Sequence, residues 1–389
     1  MLRFLRLLAW SFITAALVIT ALGGAGYWLY SDAQNAGPLA ASRILVIPPH
    51  TGIAGIAELL TEAGVIRHKL TFEAIARLSG HGAKLKAGEY EFPAAASAMQ
   101  TFEIVAAGRT VKHRLTIPEG LTSAEVVALV RDAPALDGDV GPVPGDGTLL
   151  PETYTYSYGE SRKDMIERMQ RDMTRIVAEI WKERRPGLPL ATPQEAVTLA
   201  SIVEKETARG EERPHVAGVF INRLRLGMPL QSDPTVLYAL SPANPKLDRP
   251  LAHADLAVAS PYNTYVVKGL PPGPIANPSR SSLQAATRPE RTEDLYFVAD
   301  GGGGHIFAKT LAEQTHNIAE YRRAMAAGSD SGAPPISPPL APLAPPPEPE
   351  PAHTVAASGP PAAPHRHRLV QQASRVRHCR PEPGHACPH

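Results

Sequence analysis

Two glutamates separated by one residue, Glu204 and Glu206, lie in the heptapeptide Ser201-Ile-Val-Glu-Lys-Glu-Thr207, about midway along a chain of 389 residues. A carboxyl group beside an apolar helix face has its ionised form disfavoured, and the raised pKa that results is what a general acid needs near neutral pH. Thr192-Pro-Gln-Glu195 supplies a capping box with proline at the first helical position, which predicts where the carrying helix starts. Ala196, Leu199, Ala200 and Val203 then fall at i, i+3, i+4 and i+7 and form the apolar stripe. In that register Glu206 stands roughly 70° to one side of the stripe, near Leu199 and Ile202, and Glu204 roughly 90° to the other, with Lys205 pointing away. The two acids therefore do not share one small site. Periodicity does not choose between them, and both also fit a plain reading as boundary residues neutralised by nearby Arg or Lys.

The elements that must position such an acid follow it directly. Arg213-Pro-His-Val-Ala-Gly-Val-Phe-Ile-Asn-Arg-Leu224 predicts a second helix with Val216, Val219, Phe220 and Leu224 inward. Residues 228–235 form a turn dense in hydrogen-bonding side chains, including Gln231, Ser232, Asp233 and Thr235. Two loops rich in Pro and Gly, 260–265 and 269–278, carry Tyr262, Asn263, Tyr265 and Asn277. Rigid loops bearing aromatic rings and amides are how carbohydrate clefts are lined. Ser201 and Lys205 suggest a serine acyl-enzyme, but that motif needs Ser-x-x-Lys, and here the spacing is one residue too long.

Composition narrows the class of protein. With 39 Lys+Arg against 38 Asp+Glu the formal net charge is +1, so no nucleic-acid partner is indicated, and 43% hydrophobic content suffices for true cores. Residues 7–30 carry no charged side chain, follow Arg3 and Arg6, and end in Tyr27, Trp28 and Tyr30. That pattern predicts a membrane span with a cytoplasmic N-terminus and everything after Tyr30 on the far side. A cleaved signal peptide is the alternative, and it too sends the bulk of the chain out of the cytoplasm. Cys379 and Cys387, the two cysteines, lie in the C-terminal tail, so no thiol nucleophile or disulfide framework serves the folded part.

A short linker at 31–42 precedes a compact module over 43–108: a strand at 44–48, helices at 51–63 and 70–78, and a strand at 86–92. A larger domain over 109–326 opens with a strand at 111–117, is mostly helical to about Lys182, and regains short strands at 264–267, 295–299 and 305–309. Asp300-Gly-Gly-Gly-Gly304 between the last two reads as a hairpin connection, since no helix start follows it as a phosphate cradle requires. From residue 327 the chain turns proline-rich, then basic and histidine-rich, as a disordered tail would be. The expected fold class is α+β: a membrane helix, a small α/β module, a larger mixed domain and that tail.

The segments LASIVEKET, VFINRLRLGMPLQSDPTVLYAL, SPYNTY, GLPPGPIANPS and LYFVADGGGGHIFAKTLAEQTHN resemble, in order, the motif series of the endolytic murein transglycosylases, the MltG or YceG-like family. The resemblance covers roughly residues 43–323 and implies a single-pass inner-membrane protein whose LysM-like module and catalytic domain face the periplasm. It implies endolytic cleavage of the β-1,4 bond between N-acetylmuramic acid and N-acetylglucosamine in peptidoglycan, leaving 1,6-anhydro ends and ending strand elongation, with peptidoglycan synthases as partners and neither cofactor nor metal. It also makes the choice that periodicity left open: the second glutamate of the triplet, Glu206, is the catalytic one and Glu204 its companion. Gln231, Ser232, Asp233, Thr235, Tyr262, Asn263 and Tyr265 match the family's cleft segments. The family's usual Glu-His-Asn appears here as Gln314-Thr-His-Asn317, which leaves the parts of His316 and Asn317 open, and with them that of His305.

One acid suffices for that chemistry. Glycosidases with two carboxylates hold them about 5–5.5 Å apart for retention or about 6.5–9.5 Å for inversion. A lytic transglycosylase instead lets one acid protonate the leaving oxygen and then deprotonate the muramic C6 hydroxyl, which attacks from within the substrate. A hydrolytic muramidase pairing Glu206 with Asp233, and a glycan-binding scaffold without catalysis, are the competing expectations.

Overall fold

The computed structural model describes residues 2–328 except 81, 83 and 84. The proline- and histidine-rich stretch expected to be disordered, with Cys379 and Cys387, lies outside the described residues.

Helix α1 (Leu2–Gln34) contains a segment, Arg6–Gln34, of mean hydropathy 1.9, long and apolar enough to cross a membrane, and its apolar 18-residue stretch is not buried in the protein. It runs beyond the expected 7–30 into the stretch read as a linker, because its end is held by the next module. Asp32 accepts a hydrogen bond from Thr71 at 2.5 Å and meets His68 at 3.0 Å, and Ala33 is buried in the module's core.

That module pairs β1 (Arg43–Ile47) antiparallel with β2 (Gly88–Phe92), Leu45 opposite Tyr90, and places α2 (Ile53–Glu62) and α3 (Lys69–Leu78) between them in sequence. A two-stranded sheet is marginal alone. Here it is covered by the helices through Ile47, Ile56, Leu60, Phe72, Tyr90 and Phe92, joined by Phe102 and Val105 of α4 (Ala98–Ala106), a helix that sequence periodicity had not singled out. Ser97 and Gln100 form the capping box that starts α4.

Next, β3 (His113–Thr116) leads to α5 (Ser123–Asp132), opened by a Thr122–Glu125 capping box, and then to β4 (Leu136–Asp137), β5 (Thr153–Tyr156), β6 (Glu160–Ser161) and α6 (Arg162–Lys182). The region is less purely helical than expected. Residues 153–156, Thr-Tyr-Thr-Tyr, alternate exposed and buried and pair antiparallel with β3, while β4 and β6 form a short parallel pair. Val126, Val127, Val130, Tyr154, Ile166 and Met169 close a core beneath them.

Helix α7 (Pro193–Glu206) runs through the largest core, flanked by α6, α8 (Arg213–Arg225) and the later α10. The expected narrow stripe is too modest: every residue from Ala196 to Glu204 is buried. Small and β-branched side chains let neighbours pack on all faces of α7, as a helix apolar all round requires. Its start follows the expectation in part. Thr192 Oγ1 accepts from Glu195 N, but Glu195 Oε2 takes the N–H of Ala191 and not that of the capping residue.

After α9 (Asp233–Leu240), residues 264–267, expected as a strand, form a turn in which the N–H groups of Val266 and Val267 both reach Asn263 O. Helix α10 (Arg280–Thr287) is followed by β7 (Tyr296–Ala299) and β8 (His305–Ala308), the expected hairpin, and by α11 (Leu311–Gly328). Asp300 Oδ1 ties the glycine connection by accepting from the N–H groups of Gly302 and Gly304. The Pro-rich loop before α10 is pinned to α7, since Ser201 Oγ accepts from Ile275 N. It also approaches so closely that a Cβ on Gly147, at φ +75°, would lie 2.5 Å from Pro274 and 2.9 Å from Val197.

Candidate active site

Glu206 is the last residue of α7; Thr207 turns extended and ends the helix. A carboxylate at a helix C-terminus faces the negative end of the helix dipole. The residue is open to solvent on one side, but protein crowds its carboxyl, and this desolvation pushes its pKa from the ordinary 4.5 to about 8. The nearby charge of Asp233 pushes in the same direction, while Ser232 and Arg223 pull the other way and favour the carboxylate. Near neutral pH the group is therefore held protonated yet can be ionised, as an acid that must return as a base requires.

The segment facing Glu206 is held rigidly. Gln231 adopts φ +53°, an uncommon left-handed conformation for a residue with a long side chain. Flanking bonds enforce it: Gln231 N donates to Thr264 O, Ser232 N to Thr264 Oγ1, and Thr235 Oγ1 to Ser232 O, with the Thr235 and Thr264 hydroxyls 2.9 Å apart. The result presents Ser232 and Asp233 at the start of α9 to the acid. Ser232 is 1% exposed, and its hydroxyl is turned to the Glu206 carboxyl, whose ionised form it favours. Burial raises the Asp233 pKa, although Tyr265 donates a 2.5 Å hydrogen bond to its Oδ1. Tyr265 in turn is raised by burial and by that carboxylate.

Arg223, which sequence reasoning did not single out, completes the group. Its guanidinium is buried and donates to the carbonyl oxygens of Leu295, Pro229 and Leu230 and to Gln231 Oε1, with its charge 5.1 Å above the Tyr296 ring. These partners are all neutral, so its charge reaches Glu206 and Tyr265 without a carboxylate neutralising it, and burial lowers its own pKa. The available signal was an arginine at an inward position of the second helix, three residues after Phe220.

The other expected residues are placed differently. Glu204 is locked elsewhere: Oε1 takes Arg213 Nη2 at 2.8 Å, and Oε2 takes both the N–H and the hydroxyl of Ser279. Arg213 also reaches Glu119, and Ser281 as well. Asn263 spends its amide on Leu256 O, Val258 O and Tyr265 N. Asn277 accepts from Leu149 N and donates to Leu121 O and Ser123 Oγ. Both asparagines are fully buried and hold loops in place. Tyr262 packs on Tyr238, ring centroids 4.8 Å apart, along a cleft of about 390 Å³ that also includes Thr122, Asp146 and Pro274. His305 bonds Glu212, which also takes the Thr207 hydroxyl, so the hairpin is tied to the residue following Glu206. Burial alone would raise Glu212, but the His305 bonds outweigh it and leave its pKa lowered. His316 pairs with Glu320 on an exposed face, and Asn317 is half-buried. No group of three or more His, Cys, Asp or Glu suited to a metal occurs among the described residues.

The site is thus a candidate for acid–base chemistry: two neighbouring carboxyl groups raised by burial, Glu206 the one lifted to about 8, with an adjacent buried hydroxyl and a buried arginine, set on an α+β scaffold. The chain belongs to the YceG-like family, whose profile matches residues 45–320. It is 30% identical over 305 residues to an endolytic murein transglycosylase of Bacillus subtilis, covering 70% of this chain and 82% of that protein. A Streptococcus pneumoniae protein of the same description is 29% identical over 323 residues, which are 71% of this chain and 57% of the pneumococcal one. The crystal structure of a YceG-like protein of Listeria monocytogenes covers 71% of this chain and 98% of its own, at 30% identity and a TM-score of 0.46.

Proposed function

We propose that this chain is an endolytic murein lytic transglycosylase, and that Glu206 is its acid and base. The observation that carries this reading is Glu206, a half-buried residue whose crowded carboxyl is raised to about 8, in a chain whose relatives bear that activity by name. Protonated Glu206 donates to the glycosidic oxygen as the bond between N-acetylmuramic acid and N-acetylglucosamine breaks. The resulting carboxylate, favoured at that moment by Arg223 and Ser232, takes the proton of the muramic C6 hydroxyl as that oxygen closes on the anomeric carbon. The buried Ser232 hydroxyl supports the Glu206 carboxylate from the protein side. Tyr265 and Gln231 brace Asp233 and Arg223 around the acid, Thr235, Asn263 and Asn277 hold the loops, and Tyr262 with Tyr238 offers aromatic faces for a sugar. Glu204 serves the scaffold.

Module 43–108, two antiparallel strands with a helix pair between them, is read as LysM-like and as a glycan-binding aid. Helix α1 anchors the chain in the inner membrane with Arg3 and Arg6 cytoplasmic and the site periplasmic, within reach of peptidoglycan synthases whose nascent strands it would cut.

Asp233, a second carboxyl beside Glu206, favours one other reading, a hydrolase that activates water. Mass spectrometry of products from purified peptidoglycan separates the two. Muramic ends lighter by one water mark the transglycosylase, and reducing ends mark the hydrolase. Loss of cleavage in Glu206→Gln is required by both, and retained cleavage would remove Glu206 from the chemistry.

A further inference from the structure

We propose that the small module rests on the phospholipid headgroup layer at the exit of α1, touching it through Arg67, Lys69 and Leu70 at the N-terminal edge of α3. This rests on reading α1 as a membrane span. A bilayer core of ~30 Å takes about 20 helical residues, so a span starting at Leu7 ends near Gly26 and leaves Tyr27, Trp28 and Tyr30 among the headgroups. All three rings are exposed.

The module is fastened to that same level with no slack. The Trp28 ring lies 5.1 Å from the His68 ring, His68 Nδ1 is 3.0 Å from Asp32, and Thr71 bonds the other oxygen of Asp32. From Trp28 to Asp32 the helix rises only about 6 Å, comparable with the headgroup layer of one leaflet. Arg67 bonds Ala36 O, and a Cβ on Gly37 would collide with Ala96 O, so the chain beyond the helix also lies flush against the module. Residues 69 and 70 lie between two residues that grip α1 and are held at its depth.

Their chemistry suits that depth. Leu70 is 61% exposed at the first turn of α3 and belongs to none of the core clusters among the described residues. Arg67 and Lys69 flank it on the exposed side, with long stems that carry charge to phosphate while the methylenes lie on apolar surface. Lys69 has an exposed partner in Glu58 at 3.8 Å, so the patch carries little net charge and its ligand is the phosphate shared by zwitterionic and anionic lipids. Docked in this way, the module fixes the height of the attached domain above the bilayer.

The full chain carrying Cys379→Ser and Cys387→Ser is given one cysteine at Leu70, Leu17 or Leu226, labelled with a fluorophore and reconstituted in phosphatidylcholine vesicles, with and without phosphatidylglycerol. Nitroxide-bearing lipids should quench the label at position 70 several-fold more than that at 226, in both vesicle types. Quenching at 17 but not at 70, with 70 open to aqueous iodide, would overturn the docking and leave the anchor intact. Shielding of 70 from both quenchers would also overturn it, by showing that protein covers the patch. No lipid quenching at 17 would instead sink the anchor reading on which the proposal rests.

Discussion

Arg213 Nη2 lies 2.8 Å from Glu204 Oε1, with both side chains nearly devoid of solvent contact. The glutamate two residues before the acid is therefore a bolt: through Arg213 and Ser279 it clamps the end of α7 to the start of α8 and α10. Removing one partner of a buried pair leaves the other charge uncompensated, typically at a cost of about 3–5 kcal/mol. Glu204→Ala should lower the melting temperature strongly, as should Arg213→Ala, and a double-mutant cycle should show the two losses to be far from additive. Independent, additive losses in thermal denaturation would contradict the clamp.

Glu206→Gln should behave in the opposite way. Loss of a positioned general acid costs roughly 10²–10⁴ in rate, so cleavage should fall by at least that much while the fold persists. The stability effect has a sign. Folded Glu206 holds its proton up to about 8 against an ordinary 4.5, so its contribution is complete below about 4.5 and is lost as pH rises towards 8. The variant should melt above the parent at pH 8.5 and close to it at pH 4.5, as calorimetry would reveal; the reverse order would place the raised pKa elsewhere.

The rate should carry the same titration. With protonated Glu206 as the acid, kcat/KM should fall about tenfold per unit above pH 8. Asp233→Asn removes a like charge while leaving the Tyr265 hydroxyl an acceptor, so the falling limb should move to lower pH, with up to about tenfold less activity at pH 8 for every pH unit that the limb moves. A limb that stays in place would show that Asp233 does not act on the acid.

Asn277→Ala should destabilise by about 1–3 kcal/mol, since it strands the buried Leu149 N–H and frees the loop that returns to Leu121. Chemical denaturation measures this directly. A variant with unchanged stability but weakened substrate binding would make Asn277 a ligand group and not a brace.

Sequence and structure part company where distance along the chain is large. The hairpin was readable from Asp300 and its glycines, and the start of α7 from Thr192 and Pro193, because those signals are local. The strand expected at 264–267 failed because alternation cannot register that Asn263 captures two N–H groups. The choice of Glu206 came from resemblance: both acids flank the same helix, and what separates them is Arg213 and Ser279, 9 and 75 residues beyond Glu204. Arg223 was hard to read for the same reason, its inward position being the one local signal. Its burial depends on carbonyls at Pro229, Leu230 and Leu295, and an arginine in a helix ordinarily reads as a surface residue.

The most direct test of the central claim, that the substrate's own hydroxyl completes the reaction begun by Glu206, is cleavage of purified peptidoglycan in water enriched in ¹⁸O. No label should appear at the new muramic ends, because the oxygen joined to the anomeric carbon comes from C6 of the same sugar. One ¹⁸O at each new end would contradict the account and establish water as the nucleophile.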